Sequence, residues 1–208
     1  MPTAEEEFDE MLFYGRERPV AKPAPAPQKT PLVSKKKTPV DPTLHMLASR
    51  DKAKADIAEI EKLHPKLKKA ADKFSVPVEI LKGMASRESR AGKHLDKTGY
   101  DLEKKAFGIL QVDERYHKRK GKTADSQEHL DQAASILRDY RNQMDKKHPT
   151  WSDEERWKGA VAAYNMGPGN VRTRERIDKG TTGGDYSKDV LHRAELFGAL
   201  DAAKKEKK

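Results

Sequence analysis

Beyond Asp51 the apolar residues recur at the spacing of a helix. Leu67, Ala70, Ala71 and Phe74 fall at i, i+3, i+4 and i+7, one face of a 3.6-residue repeat. Trp157, Ala160, Val161 and Tyr164 repeat the pattern. Ile57, Ile60 and Leu63 form a shorter stripe, Leu130, Ala133, Ala134, Leu137 and Met144 a longer one, and Val190, Leu191, Ala194 and Phe197 the last. A chain patterned this way is mainly α. The period fails over residues 94–117. There Gly99, the Phe107-Gly108 pair and the apolar run Ile109 to Val112 predict a loop and one small β-hairpin or sheet.

Local signals divide the helices. Pro65 is expected to restart a helix after Leu63, and Pro77 to be a first helical residue, where a missing N–H costs nothing. Asp125 with Glu128 reads as a capping box for a helix over 126–147, and Ser152 with Glu155 as another. Asn165-Met166-Gly167-Pro168-Gly169 stops that second helix in a tight loop. A short helix over 171–178 follows, and Ser187 caps the last one.

The first fifth of the chain is different. Residues 1–14 hold Glu5, Glu6, Glu7, Asp9 and Glu10 with no basic side chain, and residues 18–42 hold seven of the twelve prolines. Such a stretch cannot sustain a hydrogen-bonded ladder and acts as an extended spacer. Hydrophobic residues are 35% and charged residues 37%, a balance that also argues for an unfolded part. The expected organisation is a disordered extension over 1–45, acidic and then Pro/Lys-rich, a domain over 46–200 with order starting near Asp51, and a frayed Lys-rich tail over 201–208. Residues 1–14 read as an acidic tail, with a docking element for a partner as the alternative. The chain has no cysteine, so neither a disulfide nor a thiolate contributes. Its +9 formal charge draws it to anionic polymers, nucleic acid and bacterial wall alike. No apolar run is long enough to span a membrane. No basic-then-apolar leader opens the sequence, so an export route is not indicated.

One residue breaks the apolar logic. Leu81, Met84 and Ala85 define the inner face of a helix over 77–90, and Glu88 continues that face by one turn. Burial disfavours a charged carboxylate and raises its pKa, which suits a group that donates a proton near neutrality. From the helix alone a second reading stays open: Glu88 paired with Arg87, Arg90 or Arg115, or exposed at a frayed end.

The surrounding motifs carry a resemblance. Ser86-Arg87-Glu88-Ser89, Phe107-Gly108 to His117, Ala163-Tyr164-Asn165 with Gly167 and Gly169, and Gly180-Thr181-Thr182 with Asp185-Tyr186-Ser187 occur in one order across residues 76–197. In this the sequence resembles the goose-type lysozymes, and more broadly the lysozyme-like soluble lytic transglycosylases of glycoside hydrolase family 23. It resembles the cysteine-free members. The resemblance implies an α+β lysozyme-like fold with its small sheet beside a cleft. It also implies a muramidase that cuts the β-1,4 bond between N-acetylmuramic acid and N-acetylglucosamine at the cell wall, outside the cell or in the periplasm. Glu88 matches the family's general acid. The implied partner is the peptidoglycan glycan strand, taken by a monomer that needs no cofactor.

An inverting hydrolase needs a second carboxylate about 6.5–9.5 Å from the first, to hold water. Asp113, in Gln111-Val112-Asp113, and Asp101 are the candidates. The loop 99–105 lacks the glycines of the family pattern and sets Asp101 one place out of register, so Asp96 and Glu103 are substitutes. Asp113, at the end of a short strand, is the more rigidly placed. By motif, Gln111, Tyr116, His117, Tyr164, Asn165 and Tyr186 contact the sugar. Amides suit acetamido groups, and tyrosines offer a face and a hydroxyl. For Tyr164 core packing is the rival reading, and for His117 membership of the basic run 117–120. No His, Asp and Glu set has metal-ligand spacing. Three other functions compete: a lytic transglycosylase, in which the sugar's own hydroxymethyl attacks; a non-enzymatic wall-binding module; and a nucleic-acid binder, for which no recognised module is present.

Overall fold

The computed structural model describes residues 42–101 and 105–206. The expectations for residues 1–41, including the docking segment, and for Glu103 and the last two lysines lie outside them. Among the described residues six α-helices carry the fold: α1 (Pro42–Ala55), α2 (Ile57–Phe74), α3 (Val78–Ser89), α4 (Gln127–Lys147), α5 (Asp153–Met166) and α6 (Tyr186–Glu206). Between α3 and α4 a two-stranded antiparallel sheet pairs β1 (Ala106–Phe107) with β2 (Val112–Asp113). Ala106 faces Asp113 and Phe107 faces Val112, with Tyr100 bridged to Phe107. The protein is mainly α with one small hairpin, as the periodicity and its single interruption predict.

Helix α3 lies in the middle, packed on α6 and α2. Leu81, Met84 and Ala85 are buried as expected, with Ile80 beside them. They meet Val190, Ala194 and Phe197 of α6 and Leu67, Ala70 and Ala71 of α2 in one continuous core. Gly83 sets how close α3 and α6 come: a Cβ there would fall on the Val190 carbonyl oxygen and 3.1 Å from the Ala194 nitrogen. Lys82 is wholly buried in the same seam, and its ammonium reaches Asp201 at 2.7 Å. The long stem packs among apolar neighbours while the charge finds its partner.

Several local expectations shift, each for a physical reason. Order begins earlier than Asp51, since α1 starts at Pro42, and the tail expected to fray from 201 stays helical to Glu206. The break in the second stripe falls at Asp56 rather than Pro65, and α2 runs through Pro65. Pro65 is exposed, so the carbonyl it leaves unpaired can turn to water. Pro77 is the extended residue before α3 rather than its first helical one. The α4 cap is Ser126, which accepts from the His129 N–H; Asp125 instead pairs with Lys66 at 2.7 Å. The Ser152–Glu155 capping box forms as read. Residues 171–178 form no α-helix but a 3₁₀ turn, Arg174–Arg176, because only Val171 and Ile177 there are buried and they share no helical stripe. Ser187 does not cap α6. Asp178 does, accepting from the Ser187 and Lys188 N–H groups at 2.8 and 3.2 Å and from the Ser187 hydroxyl at 2.8 Å. A carboxylate is well suited to a helix N-terminus.

Because the Gly83 seat is backbone against backbone, Gly83→Ala has nowhere to go. We expect it to destabilise the protein by about 1–3 kcal/mol despite the better helix propensity of alanine, read as a lower urea midpoint. An unchanged midpoint would refute the close seat.

Candidate active site

Glu88 stands on the last turn of α3, and the chain reverses immediately after it. The reversal comes at Arg90 and Ala91, both at φ 54°, before Gly92 at φ 95°. Two successive non-glycine residues in the left-handed region are strained, and the neighbours hold them there. The Ala91 N–H donates to the Ala85 carbonyl at 2.9 Å, and the Gly92 N–H to Ser89 Oγ at 2.9 Å. Arg90 Nε donates to Asp56 Oδ2 at 2.8 Å.

Each arginine that was a candidate partner for Glu88 is engaged elsewhere. Arg87 Nε lies 2.8 Å from Asp189 Oδ2. Arg90 pairs with buried Asp56, and Arg115 with Asp113 at 2.5 Å. Glu88 therefore has no ion pair among the described residues. Its hydrogen-bond partner among the described residues is the buried Tyr186, whose hydroxyl donates to Glu88 Oε1. The residue is half-buried. That burial pushes its pKa up to about 7; the Tyr186 hydrogen bond and the Arg87 charge pull it down, and the Asp101 charge pushes it up. Burial also lifts the Tyr164 and Tyr186 hydroxyls well above the usual phenol range, with the Glu88 charge adding to it.

Asp56 and Asp189 were missed by sequence reading. Asp56 accepts from Ser86 Oγ and Arg90 Nε at 2.8 Å each, and from Lys93 Nζ at 3.2 Å. Asp189 accepts from Arg193 and from Ser49 of α1, and Arg193 also donates to the Ser86 carbonyl at 3.0 Å. Thus the residues before and after Glu88 are tied to α2 and α6. Only Asp56 left a trace in the sequence, as a short polar side chain directly before the apolar stripe of α2.

The two candidate second carboxylates differ. Asp113 is taken up by Arg115, whose hydrogen bonds hold its carboxyl below the usual range. Asp101 is near enough for its charge to raise Glu88, and its Oδ1 is buried with no hydrogen-bond partner among the described residues. Asp96 Oδ1 accepts from the Thr98 N–H and the Tyr100 N–H at 2.8 and 3.1 Å and so closes a turn.

The loop between β1 and β2 meets α3, α4 and α5. Ser89 Oγ donates to the Ile109 carbonyl at 2.8 Å and the Tyr164 hydroxyl to the Leu110 carbonyl at 2.9 Å. The Leu110 N–H donates to His129 Nε2 at 3.2 Å. Gly108 is at φ 78°, and a Cβ on it would strike the His129 ring. This loop holds Gln111 at φ 47°, with its Nε2 donating to the Gly108 carbonyl at 2.7 Å. Tyr164 packs against the core, as its rival reading had it, and sets its hydroxyl on this loop. Asn165 Oδ1 accepts from the Thr182 N–H at 2.8 Å, which joins the end of α5 to the Thr182–Gly184 turn. Tyr116 is 77% exposed with the Arg115 guanidinium 5.5 Å from its ring centre. His117 is half-buried; burial lowers its pKa against the Asp113 and Asp139 charges. The structure brings Glu88, Tyr186, Tyr164 and Asp101 together electrostatically, with Gln111 on the adjoining loop and Asn165 at the end of α5.

Comparison with known proteins follows the same lines. The family described as Lysozyme g matches residues 32–199. A protein named Lysozyme g from Casuarius casuarius is 41% identical over 150 residues, covering 72% of this chain and 80% of its own length. One of the same name from Struthio camelus is 41% identical over 150 residues, at 72% of each chain. One from Gallus gallus is 40% identical over 150 residues, covering 72% of this chain and 70% of its own length.

Two expectations test this geometry. Because the Tyr186 hydroxyl stabilises the Glu88 carboxylate, Tyr186→Phe should move the Glu88 titration to higher pH, as followed by carbon-13 NMR of the labelled carboxyl. A shift to lower pH would contradict it. His129 is wholly buried and neutral, its pKa pushed by burial from 6.5 to about 4 with the Asp125 charge opposing. Since the folded value lies below the unfolded one, stability is complete above pH 6.5 and is lost as pH falls toward 4. At about 1.4 kcal/mol per pH unit that loss is roughly 3 kcal/mol. His129→Gln should lack this slope in urea titrations at graded pH; an identical slope in both proteins would refute it.

Proposed function

We propose that this chain, which belongs to the lysozyme g family and is a glycosidase, cleaves peptidoglycan as a muramidase with Glu88 as its general acid. The reading rests on one observation above all. Glu88 forms no ion pair with a neighbouring arginine among the described residues, and burial pushes its carboxyl up to about 7 against the Tyr186 hydrogen bond and the Arg87 charge. A carboxyl held there carries its proton in neutral water and releases it to a developing alkoxide.

The steps follow from that proton. Glu88 gives it to the oxygen between N-acetylmuramic acid and N-acetylglucosamine as the bond from that oxygen to the anomeric carbon breaks. Positive charge gathers on the muramic ring, and the glucosamine side leaves as an alcohol. In the hydrolytic reading a water then attacks the anomeric carbon from the opposite face and loses its proton to a second carboxylate. Asp101 fits that role better than Asp113, because its Oδ1 has no partner among the described residues and its charge already acts on Glu88, whereas Asp113 is held by Arg115. Gln111, Tyr116, His117, Tyr164, Asn165 and Tyr186 line the proposed sugar path. The Asn165 amide nitrogen and the Gln111 amide oxygen are the atoms that suit an acetamido group, since their other amide atoms are engaged. Glycan strands of the cell wall are the substrate, met outside the cell or in the periplasm by a monomer.

The rewritten loop around Asp101 supports a second reading, a lytic transglycosylase. There the muramic hydroxymethyl oxygen replaces water, and an anhydro end forms without any activating carboxylate.

Glu88→Gln keeps the shape and removes the proton, and should cost on the order of 10² to 10⁴ in rate on purified peptidoglycan. Asp101→Asn should slow reducing-end formation more than Asp113→Asn, and the double variant should be slowest. Near-normal turnover by folded Glu88→Gln would end the assignment. Anhydro products from the wild type, with unchanged rates in the aspartate variants, would replace hydrolysis by transglycosylation.

A further inference from the structure

Residues 115–122 carry five cations, Arg115, Lys118, Arg119, Lys120 and Lys122, and no carboxylate. All five are exposed. Two are engaged: Arg115 pairs with Asp113, while Arg119 lies 3.7 Å from Glu114 and over the Phe107 ring. The ammonium groups of Lys118, Lys120 and Lys122 enter no ion pair among the described residues. Nearby acids are mostly committed, Glu114 to Arg119 and the Tyr100 hydroxyl and Asp125 to Lys66. Glu128 borders the Lys122 end, and Asp139 acts on His117.

This segment is anchored. Gln132 of α4, only 8% exposed, donates through Nε2 to the Lys118 carbonyl at 2.8 Å and accepts through Oε1 from the Lys120 N–H at 3.0 Å. Gly121 follows at φ 86°, where a Cβ would strike Ser126 Oγ at the start of α4. A run of lysines whose only task is solubility needs no buried amide on its backbone. Anchoring lowers the ordering cost of binding. Along an extended chain residues two apart lie roughly 6.5–7 Å apart, so Lys118 and Lys120 can meet successive charges of a linear polyanion. Lysine is a point-charge partner for phosphate.

We propose that Lys118, Lys120 and Lys122 form a docking strip for a phosphodiester polymer without bases, of the polyol-phosphate kind, carried by the wall whose glycan is cut. The placement supports it, since the strip directly follows β2 and the Gln111–His117 run of the cleft. The inference deepens the peptidoglycan reading and rests on it for the identity of the carrier. Nucleic acid fits less well, because base-tolerant binding needs free aromatic platforms beside the cations. The exposed ring here, Tyr116, already carries Arg115 over one face.

The test compares wild type, a Lys118→Gln/Lys120→Gln/Lys122→Gln variant and a control with the same charge change, Lys69→Gln/Lys179→Gln/Lys205→Gln. Inorganic polyphosphate and oligothymidylate of matched charge are the probes, titrated by fluorescence anisotropy at graded salt. The strip variant should bind polyphosphate about tenfold more weakly, with a log–log salt slope shallower by about 2, the share of three flexible phosphate contacts. The control should stay within about twofold, and oligothymidylate should bind wild type no more tightly than polyphosphate. All three proteins should cleave soluble, phosphate-free wall fragments equally. Equal loss in both triple variants, or no loss in either, overturns the strip. Tighter oligothymidylate binding that only the strip variant loses reassigns it to nucleic acid and overturns the proposal. Binding does not depend on turnover: if wild type bound polyphosphate through the strip but never cut peptidoglycan, the cleavage reading would fall while the strip stood.

Discussion

A carboxyl buried near neutrality stays protonated only while no cation can settle beside it. An opposite charge within a few ångströms lowers a carboxyl pKa by roughly one to three pH units, enough to leave Glu88 an ordinary carboxylate at neutral pH. The sequence surrounds Glu88 with arginines, one on each flank and a third in the hairpin region. Much of the architecture serves to draw those charges away. Asp189 on α6 takes Arg87, Asp56 at the start of α2 takes Arg90, and Asp113 takes Arg115. Asp56 and Asp189 also tie down the residues on either side of Glu88, so charge pairing and mechanical support come from the same bonds.

Those bonds also explain how a short helix ends where it does. Arg90 and Ala91 occupy a backbone region that alanine and arginine avoid. The reversal survives because Arg90 has a buried partner and Ser89 bridges to the Ile109 carbonyl. The neutral imidazole of His129 supports the same loop from α4. The site is therefore assembled from α3, α4, α5, α6 and the hairpin, and Ser89, His129 and Asp189 support it without touching sugar in the proposed mechanism.

The parts readable in the sequence were those governed by periodicity. The stripes of α2, α3, α4, α5 and α6, the single small sheet and the buried position of Glu88 on the α3 face all follow from apolar spacing. What escaped was set by long-range partners. Pro65 reads as a break until its exposed setting is known, and Asp125 matches a capping pattern but is taken by Lys66 from α2. Ser187 reads as a cap, yet Asp178 from the preceding turn takes its place. Asp56, Asp189 and His129 carried little or no local signature, because their meaning depends on side chains brought from distant positions. The proposed preference for Asp101 over Asp113 turns on the same point, since only the fold reveals that Arg115 folds back on Asp113.

The seat at Gly83 has a consequence for how such a domain can diversify. With the α3 backbone resting on the Val190 carbonyl, the wall behind Glu88 and Tyr186 is nearly incompressible. Neither helix can slide or accept a larger residue there without displacing both groups at once. Change that alters which glycans are taken must then accumulate on the opposite bank, in the hairpin and the turns after α5, where side chains face solvent. The rigid bank records the chemistry and the pliable one the diet.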